Sequence, residues 1–161
     1  MPKASTSVKK ENSIHCMWAL ACRLSSVDQQ KNNVSLFEIV DQVNLPAEVF
    51  GEVPTAISLP HEVVSQWRRL VSTKVDDREL LIDIAIEFVD PYGKILQRAL
   101  ATYSITGGKR RLRIRTGFPV IVVTRPGDYV YQMSYKLAHE EDFHSAGSIY
   151  MEVTQLPPQG T

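Results

Sequence analysis

The sequence predicts an all-β protein, a single antiparallel β-sandwich of seven to nine strands. Three observations lead there. Leu80, Ile82, Ile84, Ile86 and Phe88 occupy every second position while Glu79, Asp83 and Glu87 fall between or beside them. Side chains alternate faces along a strand, so this spacing puts the large apolar groups on one face. Asp90-Pro91-Tyr92-Gly93 follows at once with the residues of a type I turn: Asp first, Pro second, Gly fourth. Finally, turn signals recur at intervals of roughly ten residues, and nothing alternates strand with helix as a parallel α/β sheet requires.

Residues 1–12 are polar and lysine-bearing and read as a loose tail; the domain is expected over 13–156, with Pro157-Pro158 opening a second tail over 157–161. Ile14 to Leu24 reads as a first strand apolar on both faces, as in the middle of a sandwich. After the polar connection Ser25 to Asn33, Val34 to Val43 makes a second strand, ended by Asn44-Leu45-Pro46. Residues 46–61 hold Pro46, Gly51, Pro54 and Pro60 and are expected to be irregular. Between His61 and Ser72 the apolar residues Val63, Val64, Trp67, Leu70 and Val71 follow the spacing of an amphipathic helix, and Pro60 suits a first helical position.

The hairpin partner of the 78–89 strand is Lys94 to Ile105, and Thr106-Gly107-Gly108 breaks it. Lys109 to Arg115 is expected to be a short strand with Leu112 and Ile114 inward, and Phe118 to Thr124 a separate β-branched one. Arg125-Pro126-Gly127-Asp128 suits a type II turn. Tyr129, Tyr131, Met133, Tyr135 and Leu137 then alternate along a clear strand, an irregular segment over 139–147 follows, and Ser148 to Leu156 closes the fold.

With 161 residues the chain fits one domain that buries roughly two-thirds of its unfolded surface. Eighteen basic residues balance eighteen acidic ones, so any electrostatic partner must be recruited by a local patch. Cys16 and Cys22 are too few for a disulfide framework. Within one extended segment they would lie roughly 20 Å apart, so they read as small buried hydrophobes in a reducing compartment. Ala19-Leu20-Ala21-Cys22 imitates a bacterial lipoprotein cleavage site. The apolar run before it is short, contains His15 and leads straight into Arg23, so the expected location is the cytoplasm. No stretch approaches the ~20 apolar residues of a membrane helix.

Three stretches carry a resemblance: Ala19-Leu20-Ala21-Cys22 leading to Asn33-Val34-Ser35-Leu36-Phe37-Glu38-Ile39-Val40, then Val64-Ser65-Gln66-Trp67-Arg68-Arg69, then Phe88-Val89-Asp90-Pro91-Tyr92-Gly93-Lys94. In order and spacing, over residues 13–155, they resemble a bacterial family of small single-domain proteins whose function is unknown. The resemblance implies an immunoglobulin-like or C2-like β-sandwich and a strand, not a helix, over residues 62–71. It transfers no functional residue.

The strongest functional hint is Lys109-Arg110-Arg111-Leu112-Arg113-Ile114-Arg115. In a strand, Lys109, Arg111, Arg113 and Arg115 point one way, roughly 6.6 Å apart, and a row of guanidinium forks at that spacing suits carboxylates or phosphates. A solvated face, or an edge strand charged against edge-to-edge pairing, explains the same row structurally. Other chemistry finds less support. His139 and His144 are five apart, which turns the second ring away from the first on a helix and to the opposite face on a strand. No nucleophile elbow or phosphate-cradling glycine arrangement is present. Trp67 with Arg68 and Arg69, and the Tyr129, Tyr131, Tyr135 row, suit a ligand groove, but aromatics at period two on a sandwich strand are more often core. The expectation is therefore a non-catalytic module, without cofactor or metal and away from membranes, that binds a protein partner as a monomer or weak homo-oligomer. Next comes a nucleic-acid-associated module using residues 109–115, and third an uncharacterised hydrolase.

Overall fold

The computed structural model describes residues 13–28, 30, 31, 33–70 and 79–157. The predicted tail over 1–12, residues 158–161 of the tail predicted over 157–161, and the connection over 71–78 lie outside the described residues. The chain is all-β and forms two sheets. Among the described residues the strands are β1 (Ser13–Asp28), β2 (Asn33–Ile39), β3 (Gln42–Leu45), β4 (Thr55–Leu70), β5 (Leu80–Val89), β6 (Ile95–Ile105), β7 (Arg111–Val123), β8 (Gly127–Leu137) and β9 (His144–Gln155), with a single 3-10 turn at Ala47–Val49. One sheet has the order β2-β1-β4-β7 and the other β3-β9-β8-β5-β6. Every pairing is antiparallel except β3 on β9, which is parallel. That one pair departs from the antiparallel expectation because the chain changes sheets between β2 and β3. The Val40 amide still donates to Ala21 of β1 (2.9 Å), whereas the Asp41 carbonyl already accepts from Glu152 of β9 (2.8 Å).

The core lies between the sheets. Ile82, Ile84, Ile86 and Phe88 are buried as the alternation requires. Phe88 stacks on Tyr129 with centroids 5.2 Å apart, and Trp67 meets Tyr135 edge-on across the sheets at 5.9 Å. Asp83 and Glu87, on the other face, are half-buried, because each is held by a neighbouring strand: Asp83 by the Thr102 hydroxyl (2.6 Å) and Lys136, Glu87 by Arg98 (3.3 Å). The Asp90 turn closes as its residues dictate, with the Gly93 amide donating to the Asp90 carbonyl (2.9 Å) and the Asp90 carboxylate accepting from the Tyr92 and Lys94 amides.

Several boundaries differ from the sequence expectation. The irregular segment starting at residue 46 ends before Thr55, because β4 continues straight through Pro60; a bulge between Ser58 and His61 absorbs the missing amide. Residues 62–70 are strand, not helix. The two short strands expected over 109–115 and 118–124 are one strand, β7, which starts only at Arg111. Likewise β9 begins at His144, so the irregular segment after β8 is shorter than expected.

Candidate anion-binding cleft

The pairing of β4 with β7 places the basic residues. Odd-numbered side chains of β4 point into the core: Trp67 is fully buried, its indole N–H donates to the Ser65 hydroxyl at 2.9 Å, and His61 and Val63 are buried beside them. Even-numbered ones therefore form the outer face. Register sets Arg68 opposite Arg111, Gln66 opposite Arg113 and Val64 opposite Arg115. On β7, Ile114 is buried and Leu112 packs against the core, which leaves Arg111, Arg113 and Arg115 outward.

Between β6 and β7 the chain turns at Thr106–Lys109, where the Lys109 amide donates to the Thr106 carbonyl (3.1 Å). Gly108 holds φ at +77°, a conformation that side chains with a Cβ rarely adopt, so glycine is needed at that place. One residue on, the Arg69 amide donates to the Arg110 carbonyl (3.0 Å), tying the end of the turn to the end of β4. The result is an open cleft of about 610 Å³ lined by Gln66, Gly108, Lys109, Arg110, Arg111 and Arg113.

The four residues expected to form one row separate into different roles. Arg111 and Arg113 line the cleft from the strand, and Lys109 does so from the turn rather than from the strand, since β7 has not yet begun. Arg115 does not join them. Its guanidinium bonds the Glu62 carboxylate at 2.8 Å, and the Ser25 hydroxyl donates to the same carboxylate. The Arg115 hydrogen bond holds the Glu62 carboxyl below the usual carboxylate range, against the opposing effect of partial burial. Arg115 is thus a cross-strand brace.

Sequence reasoning missed Arg110, Gln66 and the position of Arg68. Arg110 precedes β7 and falls outside the alternating row, while Gln66 and Arg68 become relevant only once β4 and β7 are paired. That pairing joins segments more than forty residues apart, and no local pattern announces it. Among the described residues no carboxylate lies within ion-pair reach of Arg68, Lys109, Arg110 or Arg111. The register also sets His15 of β1 opposite Arg68, so His15, Arg68 and Arg111 lie in one row across three strands. Like charges directly opposite in a ladder disfavour the pairing, as Arg68 and Arg111 stand here.

The remaining candidates lie elsewhere. Cys22 is buried and Cys16 half-buried, and burial raises both thiols above their ordinary value, which leaves them poor nucleophiles. His61 is buried in the core, and His144 sits at the start of β9 against Glu140 (3.1 Å). Among the described residues no three His, Cys, Asp or Glu side chains are grouped to hold a metal ion, and no helix is long and apolar enough to cross a membrane. Trp67, Tyr129 and Tyr131 belong to the core, not to a groove. No known protein family matches the chain, and no characterised protein matches it either.

Proposed function

We propose that the protein is a non-catalytic binding module that takes an acidic segment of a protein partner in the cleft between the ends of β4 and β7. The observation that carries this reading is the gathering of Lys109, Arg110, Arg111 and Arg113 around one concavity, with Arg68 set directly against Arg111. Cations placed opposite each other at a small cost to the sheet are accounted for by an anion that neutralises them in the complex. Arginine forks suit carboxylates because they bond them bidentately. The cleft volume lies in the range of ordinary ligand sites.

Nucleic acid is the weaker reading. The chain as a whole is neutral, so no field beyond the cleft draws in a polyanion. The outer surface of the β1–β2 hairpin instead exposes Leu24, Phe37 and Ile39 to between 46% and 56%, the kind of surface that protein partners cover. A hydrolase reading has even less support, since among the described residues the cleft brings together no nucleophile and base.

The finer fold reading belongs with this proposal. The Tyr129 hydroxyl donates to the Arg125 carbonyl (2.8 Å) and accepts from the Thr124 amide (2.9 Å). A tyrosine anchoring the turn before its own strand is a feature of immunoglobulin-type sandwiches and supports that subtype.

The test is titration of the purified chain with an acidic peptide, polyphosphate and a single-stranded oligonucleotide. Micromolar binding of the acidic peptide, lost in Arg111→Glu/Arg113→Glu and with a shallow salt dependence, supports the proposal. Binding of the oligonucleotide alone, with a steep salt dependence, overturns it in favour of nucleic acid.

A further inference from the structure

The cleft does not end at the arginines. β1 lies on the other side of β4, and its pairing carries a bulge: Cys16 stands opposite Trp67 but the next pair is Trp18 with Gln66, so Met17 is an extra residue. Cys16 and Ala19 both pack against the core. The two residues between them, Met17 and Trp18, are therefore turned away from it, and Leu20 follows on the same outer face opposite Val64. Met17 is 51% and Leu20 40% exposed, and Trp18 is half-buried. A regular strand would show one apolar side chain where the bulge shows two.

Register then sets these groups in rows with the cations. Trp18, Gln66 and Arg113 form one row, and Leu20, Val64 and Arg115 the next. Gln66 is shared: it is the wall of the cleft nearest β1 and the immediate neighbour of Trp18. A cationic wall on β7 and an apolar wall on β1 thus face each other across one strand, about 10 Å apart at ordinary strand spacing.

Resting on the reading of the cleft as a site for an acidic protein segment, we infer that this segment is acidic and apolar together. Carboxylates bond Arg111 and Arg113, and one large apolar side chain lies on Met17, Trp18 and Leu20. An extended chain advances about 3.3 Å per residue, so crossing from one wall to the other takes about three residues. The partner's recognition element is therefore a pair of acidic residues with a Leu, Phe or similar side chain about three positions away. The charge of the cleft selects the first part and the bulge the second.

Fluorescently labelled peptides test this against the full chain: one with an Asp-Glu pair and Phe three positions on, one with that Phe replaced by Ser, and one with Phe kept but Asn-Gln in place of Asp-Glu. The first is expected to bind at least tenfold tighter than either of the others, and to shift the Trp18 emission to the blue, a shift absent in Trp18→Phe. Met17→Ser/Leu20→Ser, which changes exposed side chains only, should lower the affinity of the first peptide to that of the second and leave the second unchanged. Equal affinity of the first two peptides, with both lost in Arg111→Glu/Arg113→Glu, overturns the apolar wall and leaves the acidic-segment reading standing. Binding of neither acidic peptide overturns both.

Discussion

His61 of β4 and Tyr131 of β8 join the two sheets through a hydrogen bond in the core. The Leu59 carbonyl can only accept, so the proton of the neutral imidazole sits on Nδ1, 2.6 Å from that oxygen. Nε2 is left as the acceptor for the Tyr131 hydroxyl. The ring stacks on Phe118, with centroids 5.6 Å apart. Burial, more than anything else near it, lowers the His61 pKa; the Leu59 bond opposes this and the charge of Arg23 adds to it. Burial likewise raises the Tyr131 phenol far above its ordinary value, so it remains a donor.

This arrangement predicts a stability that depends on pH. A histidine with a lowered folded pKa keeps its stabilising contribution above its unfolded value, about 6.5, and loses it as pH falls below that value, because the unfolded chain takes up the proton first. Urea midpoints of the wild type should fall between pH 7.5 and pH 5.5, and His61→Gln should be less stable at pH 7.5 but show a flatter profile across that interval. Glu62, whose pKa is also lowered, acts in the opposite part of the scale: its contribution is present above the ordinary carboxylate range and disappears only as pH falls through its folded value. The two effects are therefore separable on one pH axis.

Tyr131→Phe isolates the bond itself. It keeps the ring contacts with Phe88 and Phe118 and leaves His61 Nε2 buried without a donor, which should cost about 1–3 kcal/mol. Chemical denaturation at pH 7.5 measures it. An unchanged midpoint would show that the imidazole finds another partner.

Ile84 tests the register of the central strand. Its side chain is 3% exposed and faces the other sheet, so Ile84→Ala should cost about 2–5 kcal/mol in transfer energy and cavity formation. The alternation that predicts this burial was fully legible, because β5 has one face against the core and a partly solvated one. β4 was not legible in the same way. Val64 lies on its outer face yet is buried beneath its row neighbours, while Ser65 and Arg69, polar residues, are buried as well. A strand with apolar residues on both faces and polar ones within loses its period of two, and Val63, Val64 and Trp67 then imitate a helix. The candidate site was half legible for a related reason. Charge density marked 109–115, but the cleft depends on a turn, a long-range pairing and a bulge at Met17 that no local spacing encodes.

Gly127 links the turn before β8 to the turn after β5. A Cβ there would lie 2.8 Å from Pro91 Cγ, at a φ of +143° that side chains rarely adopt. Gly127→Ala should therefore destabilise the fold by about 1–3 kcal/mol. Pro91→Gly in the same chain should recover the part owed to the clash and not the part owed to the backbone, a coupling that a double-mutant cycle reads directly.

The last prediction concerns Arg115, which lies on the same face as the cleft but is held by Glu62. Replacing the carboxylate changes two things at once. Glu62→Gln removes a charge-assisted bond between partly exposed groups, and such pairs contribute little to stability, so the melting temperature should move by no more than a few degrees. The same change releases a guanidinium one row from Arg113 and takes a negative charge off the face. An acidic peptide should accordingly bind Glu62→Gln more tightly than the wild type, about two- to fivefold at low salt, with the gain shrinking as salt screens it. Glu62→Gln/Arg115→Gln should lose that gain, since the side chain responsible for it is gone. A decrease in affinity for the single variant would mean that Glu62 orders the face that the partner reads, and that the Arg115 brace is part of the site.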